Sequence, residues 1–354
     1  MVKLAKSMTY LLVLIMLIGT LSACQASDEV GDVTVVEDEG IKIGITFDTF
    51  VLERWIKDRD KFVATAAKYD ASVDVQNANG DVDKQKGHIK KFIEEKMDAI
   101  VVVAVDCYSL TEEINDAKAQ GIKVVSYDRL IQGTKTDLYV TVDNYMVGEL
   151  MAKDIKSRLP DGGNIIMICG PEADSNSIDV KEGFADEIGD DIWKIIYQDY
   201  VKAWTPENGF EAVNEAFASV NEVSEVDAVM CGNDGLAGYA IKALSELQMA
   251  GKIYVVGQDA DLEACQRIVE GTQSMTVYKP IEDLARVAAE STIELINGKN
   301  VDNSDSVAEI KEMDNGTAVT YYGLEPIAVT KENMDKVIID SSFHLKDEVY
   351  LNMQ

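Results

Sequence analysis

The sequence predicts an α/β protein of two doubly wound parallel-sheet lobes joined by a multi-strand hinge. Three observations predict it. Short β-branched runs alternate with amphipathic helical stretches through most of the chain, the pattern of right-handed βαβ units with sheets covered on both faces. About 315 residues follow the N-terminal segments, more than one hydrophobic core usually organises. The alternation also restarts near Gly163, which suits two sheets better than one very wide sheet.

The first 24 residues carry Lys3 and Lys6, an unbroken apolar run from Leu11 to Ile18, and then Leu21-Ser22-Ala23-Cys24. This is a secretory signal, too short to span a bilayer comfortably, with small residues placed for cleavage just before Cys24. It resembles a bacterial lipoprotein box, which implies lipid on Cys24 and residence on the outer face of the cell membrane. Residues 25–40 hold six acids and no base and read as a solvated acidic tether.

Loss of residues 1–24 moves the formal charge from -30 to -32. Nucleic acid and anionic bilayers need a basic footprint, so this charge disfavours both as partners. Cys107, Cys169, Cys231 and Cys265 lie in separate segments without Cys-x-x-Cys spacing, which is neither a zinc signature nor a disulfide framework. His88 and His344 are the only histidines and neither neighbours a second candidate ligand, so metal chemistry and histidine catalysis find no support.

Strands are predicted at 41–47, 72–78, 98–105, 122–128, 137–143, 163–170, 226–232 and 252–259. The first helix is marked by Leu52, Trp55, Ile56, Phe62, Val63, Ala66 and Ala67 at helical spacing. No Gly-x-Gly-x-x-Gly and no Gly-x-x-x-x-Gly-Lys follows a strand, so no nucleotide cofactor is indicated. Polar and aromatic residues follow the strands instead: Arg54, Asp128-Arg129, Asp174, Asn176, Trp204, Asn233-Asp234, Asp259 and Lys279. Ligands of open parallel sheets bind beyond the carboxyl ends of the strands, so these residues should converge on one cleft. Asp, Asn and Arg can each grip two neighbouring hydroxyls, and a tryptophan offers a flat platform to the C–H face of a sugar ring. With three cations facing Asp174 and Asp259, and Asp128 available to hold Arg129, a neutral polyol fits better than a phosphate. Singly, each residue also has a structural reading: Arg54 and Asp128 as ion pairs, Trp204 as core, Asn233 as a helix cap.

Six motifs then give a specific resemblance. They are Leu52-Glu53-Arg54-Trp55 with Lys57-Asp58-Arg59-Asp60, Gln76-Asn77-Ala78-Asn79-Gly80, Tyr127-Asp128-Arg129, Trp204-Thr205-Pro206-Glu207-Asn208, Gly257-Gln258-Asp259-Ala260-Asp261 and Thr276-Val277-Tyr278-Lys279-Pro280. In consistent order from about residue 41 to about residue 300, they resemble the D-xylose-binding protein family, sugar-binding subunits of bacterial ABC importers with the type I two-lobe fold. The resemblance implies that Arg54, Trp55, Arg129, Asp174, Asn176, Trp204, Asn233, Asp259 and Lys279 contact a pyranose. Two stretches depart from the pattern: Phe47-Asp48-Thr49-Phe50-Val51 is less charged, and Gly170-Pro171-Glu172-Ala173-Asp174 is one residue longer.

The implied lobes are 41–146 with about 281–320, and 147–280 with about 321–354. The stretch 301–316 reads as polar loop, and the chain is expected to swap lobes near it. The implied mechanism is sugar capture by hinge closure, the closed form being read by a permease coupled to an ATPase. A sensor presenting its closed form to a membrane histidine kinase is equally compatible with the sequence. A glycosidase could use Asp174 and Asp259, but those acids look committed to ground-state sugar binding. A sugar-responsive repressor would need a helix-turn-helix where this chain has an export signal.

Overall fold

The computed structural model describes residues 40–52, 54–189, 191–299, 309–312 and 316–353. The predicted signal with Cys24, the tether up to Glu39, and 301–308 and 313–315 of the polar stretch lie outside the described residues.

Each predicted strand span holds a strand. The first half supplies β1 (Lys42–Phe47), β2 (Ser72–Asn77), β3 (Ala99–Val102), β4 (Lys123–Tyr127) and β5 (Leu138–Val142). The second half supplies β6 (Gly163–Cys169), β7 (Trp193–Tyr200), β8 (Ala228–Cys231) and β9 (Tyr254–Val256). The C-terminal part adds β10 (Thr276–Tyr278), β11 (Glu309–Glu312), β12 (Ala318–Leu324) and β13 (Ile327–Val329). One sheet runs β11-β12-β5-β4-β3-β1-β2, another β7-β6-β8-β9, and β10 pairs with β13. Within the first sheet, β1 lies parallel to β2 with Lys42 opposite Ser72, and parallel to β3 with Ile43 opposite Ala99. The pairs β11·β12 and β10·β13 are antiparallel.

Helices cover both faces of the sheets, so β3 and β5 are buried along their whole length; β3 reads as an unbroken apolar run, and β5 is interrupted by Thr141. One continuous apolar cluster joins Ile43, Ile45 and Val101 of the first sheet to Ile165, Met167 and Met230 of the second. The helices Asn144–Arg158 and Ser175–Ile188 cross backbone to backbone within it. A Cβ on Gly148 would lie 2.0 Å from Val180 O, and one on Gly183 would lie 2.0 Å from Tyr145 O. Only glycine permits that approach. Cys107, Cys169 and Cys231 are buried among apolar neighbours, as the sequence suggests.

Among the described residues, five strands, β7 and β10 to β13, lie outside the predicted spans, and two of them are instructive. Glu309–Glu312, inside the stretch read as loop, is a strand paired with β12 at the sheet edge. An edge strand needs no apolar run and tolerates Glu and Lys, so its composition hides it. The edge strand β7 was not anticipated either, because its residues alternate between part-buried and exposed.

Candidate functional site

Strand ends deliver all nine predicted residues to one cavity. After β1, Arg54 and Trp55 open the helix Arg54–Ala66, and Arg129 follows β4 directly. Beyond β6, Asp174 caps the helix Ser175–Ile188 by accepting from Asn176 N at 3.0 Å. Beyond β8, Asn233 caps the helix Asp234–Glu246 by accepting from Leu236 N at 2.9 Å. Its structural role as a cap and its place on the cavity therefore coexist. Trp204 precedes the helix Pro206–Ser219, while Asp259 and Lys279 follow β9 and β10.

Two backbone features aim these groups. Asp128 and Asp259 lie in the left-handed region, at φ 65° and 98°. Such conformations cost energy and persist only when surrounding contacts enforce them. Asp128 N donates to Val140 O at 2.7 Å, and Asp128 O accepts from Thr141 Oγ1 at 2.6 Å and Tyr139 OH at 3.1 Å. Gly170 matters for a different reason, since a Cβ there would lie 2.3 Å from the Trp204 ring. The longer Gly170–Asp174 stretch still brings Asp174 and Asn176 to the cavity.

Buried ion pairs hold the site together. Arg54 Nη2 lies 2.7 Å from Asp128 Oδ2 and 3.5 Å from Asp58 Oδ1, and its Nη1 lies 3.9 Å from Asp259 Oδ1. Arg129 Nη1 donates to Asp48 Oδ2 at 2.7 Å and Ala104 O at 2.8 Å, while its Nε lies 2.8 Å from Asp174 Oδ2. Lys279 Nζ is 3.3 Å from Asp259 Oδ1. Tyr127 OH donates to Asp58 Oδ1, and Asn176 Nδ2 donates to Asp128 Oδ1 at 2.7 Å. The Arg54 and Arg129 guanidinium carbons sit 4.3 and 5.7 Å from the Trp55 ring centroid.

Burial would lower the Arg54 pKa, but Asp128, Asp58 and Asp259 outweigh it and hold the guanidinium above its ordinary range. Arg129 is raised in the same way, burial being overcome by Asp174, Asp48 and Asp128. For Asp128, burial is again the largest influence, yet Arg54, Lys279 and Arg129 together bring it below the usual carboxylate value. Burial wins at Asp174, which is raised despite Arg129 and the Trp204 indole, and at Asp58, pushed up to about 6.

Several polar atoms of lining residues have no hydrogen-bond partner among the described residues: Arg54 Nε, Trp55 Nε1, Asn176 Oδ1, Ser177 Oγ and Gln258 Oε1. Among the described residues, Asp259 Oδ1 makes two ion pairs and no hydrogen bond. Buried groups of this kind are costly unless a ligand or water completes them, so the cavity suits a small solute rich in both donors and acceptors. Gln258 and Ser177 line it beside the nine predicted residues. Gln258 was visible as the neighbour of Asp259 in a quoted motif, whereas Ser177 carried no signal. Asp48 and Asp58, which brace the arginines from behind, were also missed as site residues. Among the described residues, no group of His, Cys, Asp and Glu could hold a metal ion.

Two helix-covered parallel sheets with a buried polar cavity at their strand ends define a solute-binding protein of the periplasmic type I fold. The chain belongs to the periplasmic binding protein family, whose domain matches residues 43–300. It is 39% identical over 342 residues to the D-xylose-binding periplasmic protein of Haemophilus influenzae, covering 95% of this chain and 98% of that one. It is 38% identical over 314 residues to the D-xylose-binding periplasmic protein of Escherichia coli, covering 87% and 92%. Among solved structures, an ABC transporter solute-binding protein of Clostridium phytofermentans with bound β-D-glucose superposes with a TM-score of 0.76 at 26% identity. That alignment covers 87% of this chain and 99% of that one. The chain is accordingly a binding protein rather than an enzyme.

Proposed function

We propose that the protein captures D-xylose, or a closely related aldopyranose, by closing two lobes over it and presents the closed form to an ABC permease and its ATPase. The observation that carries this reading is the set of unpaired buried atoms, Asn176 Oδ1, Ser177 Oγ, Gln258 Oε1 and Trp55 Nε1, around a cavity also lined by Trp204. Neutral hydroxyls, each donor and acceptor, complete such atoms without adding charge. The 38–39% identity to D-xylose-binding proteins supports this sugar, and the ABC transporter relative supports the permease.

In this reading Arg54, Trp55, Arg129, Asp174, Asn176, Trp204, Asn233, Asp259 and Lys279 hold the sugar, with the tryptophans on its ring and the charged groups at its hydroxyl rim. The lobes hinge where the chain leaves β5 for the helix Asn144–Arg158, between β10 and the helix Ile281–Ile296, and between β12 and β13. Lipid on Cys24 holds the protein to the outer face of the membrane.

A thermal melt with added sugars tests the ligand. At a hundredfold excess over Kd, a ligand binding only the folded state adds about 2.7 kcal/mol, so D-xylose should raise the melting temperature clearly. A shift with D-ribose or D-glucose but none with D-xylose would reassign the sugar, and no shift with any would overturn sugar capture. For the anchor, Cys24→Ser should release the protein from the membrane or leave it unprocessed. Unchanged membrane retention would refute lipidation.

A further inference from the structure

The turn that carries Asp259 is held by side chains that do not line the sugar cavity. Asp259 and Ala260 both have positive φ, 98° and 54°, two successive strained positions without glycine. Ala260 is fully buried, and both of its backbone polar groups are taken by side chains. Its N–H donates to Thr276 Oγ1 at 3.1 Å, and that hydroxyl in turn donates to Asp234 Oδ2 at 2.7 Å. Its carbonyl lies 2.8 Å from His344 Nε2. A carbonyl can only accept, so the His344 proton sits on Nε2.

Asp234 does more than receive the hydroxyl. Its Oδ2 also accepts from Asp261 N at 3.1 Å, and its Oδ1 accepts from Gln273 Nε2 at 2.7 Å. The same carboxylate opens the helix that Asn233 caps, so it ties two cavity-lining residues to one anchor. Asp259 N completes the arrangement by donating to Val277 O at 2.9 Å. The turn is thus fixed on both sides of its strained residues by directional bonds reaching in from β10, from the start of the helix Asp234–Glu246, and from the C-terminal segment.

We propose that Asp234, Thr276 and His344 are positioning residues for Asp259, clamping the turn at Asp259–Ala260 so that its carboxylate meets Lys279 and Arg54 across the cavity. This rests on the reading that Asp259 binds the sugar. The clamp acts on affinity through Asp259, not through any contact of its own.

The test is a cycle of variants titrated calorimetrically with D-xylose. Thr276→Val keeps the side-chain shape and removes the hydroxyl; it should weaken binding about tenfold, while Thr276→Ser, which restores the hydroxyl, stays within about threefold. In an Asp259→Asn background, Thr276→Val should cost less than about threefold further, because the clamp has lost the group it aims. Wild-type affinity in Thr276→Val, or an equal loss in both backgrounds, would overturn the proposal. Should Thr276→Val not fold, His344→Phe and its rescue by His344→Gln, whose amide can donate to the same carbonyl, make the same comparison.

If the parent protein binds none of the sugars, sugar capture falls, and the clamp is then judged by hydrogen exchange alone. The Ala260 and Asp261 amides should exchange faster in Thr276→Val and His344→Phe than in the parent or in Thr276→Ser. Unchanged exchange would sink the clamp regardless of the ligand.

Discussion

The two walls of the cavity are built differently. The wall from β1 and β4 supplies cations whose partners come largely from the same side: Arg54 with Asp58 and Asp128, Arg129 with Asp48 and the Ala104 carbonyl. The wall from β6, β8 and β9 supplies acceptors, and Asn176 Oδ1, Ser177 Oγ and Gln258 Oε1 have no hydrogen-bond partner among the described residues. Few bonds cross between the walls, notably Arg129 to Asp174 at 2.8 Å and Asn176 to Asp128 at 2.7 Å. The first wall is therefore organised largely by its own charges, although its donors Arg54 Nε and Trp55 Nε1 have no hydrogen-bond partner among the described residues, and changes to its ion pairs should strike the fold. The second keeps hydrogen-bonding capacity in reserve, and changes there should strike binding.

Arg129→Ala puts the greatest strain on this contrast. It leaves the Asp48 and Asp174 carboxylates buried without the cation between them. Removing one partner of a buried pair costs about 3–5 kcal/mol, so the sugar-free variant should lose that much in denaturant unfolding, in addition to losing sugar binding. A variant as stable as the parent would show that the first wall does not depend on its own charges.

Asp58 tests the same wall through pH. Its carboxyl is pushed up to about 6 from an ordinary 3.8, mainly by burial, so the folded chain holds this proton more tightly than the unfolded chain. The stabilisation is full below about pH 4, is lost as pH rises towards about 6, and is flat above that. Over this window the wild type should lose up to about 3 kcal/mol relative to Asp58→Asn, which carries no titrating group there. A difference that stays constant with pH would mean that Asp58 is already ionised beside Arg54 throughout.

The same distinction explains what the sequence revealed. Strands buried on both faces, such as β3 and β6, announce themselves as largely apolar runs, whereas the edge strands β7 and β11 carry polar residues and hide. The nine candidate residues were legible because parallel sheets place ligand groups at strand ends and because the family motifs mark them. Asp48 was not, because its partner Arg129 lies 81 residues away; Asp58 stands four residues from Arg54 within a quoted motif, but its second partner Tyr127, 69 residues away, comes only with the fold. The turn at Asp259–Ala260 was legible as a motif, but its bracing by His344 was not, since nothing local links residues 84 apart.

Trp204→Phe probes the second wall with the smallest expected effect. The indole Nε1 donates to Asp174 Oδ2 at 2.9 Å, the same oxygen that Arg129 approaches at 2.8 Å, so Asp174 keeps its cation when the indole is lost. Gly170 lets the ring pack edgewise against the backbone, and phenylalanine retains an aromatic face there while giving up the donor. That bond exists without sugar, so its loss, about 1.5 kcal/mol, falls on the sugar-free protein, and D-xylose binding should weaken only about threefold as Asp174 loses one of the groups that aim it. The sugar-free protein should lose no more than about 1.5 kcal/mol, because the ring is only partly buried and phenylalanine keeps its packing. Calorimetric titration alongside sugar-free denaturation separates the two effects. Normal binding with a large loss of stability would place Trp204 in the core and erase the contrast between the walls.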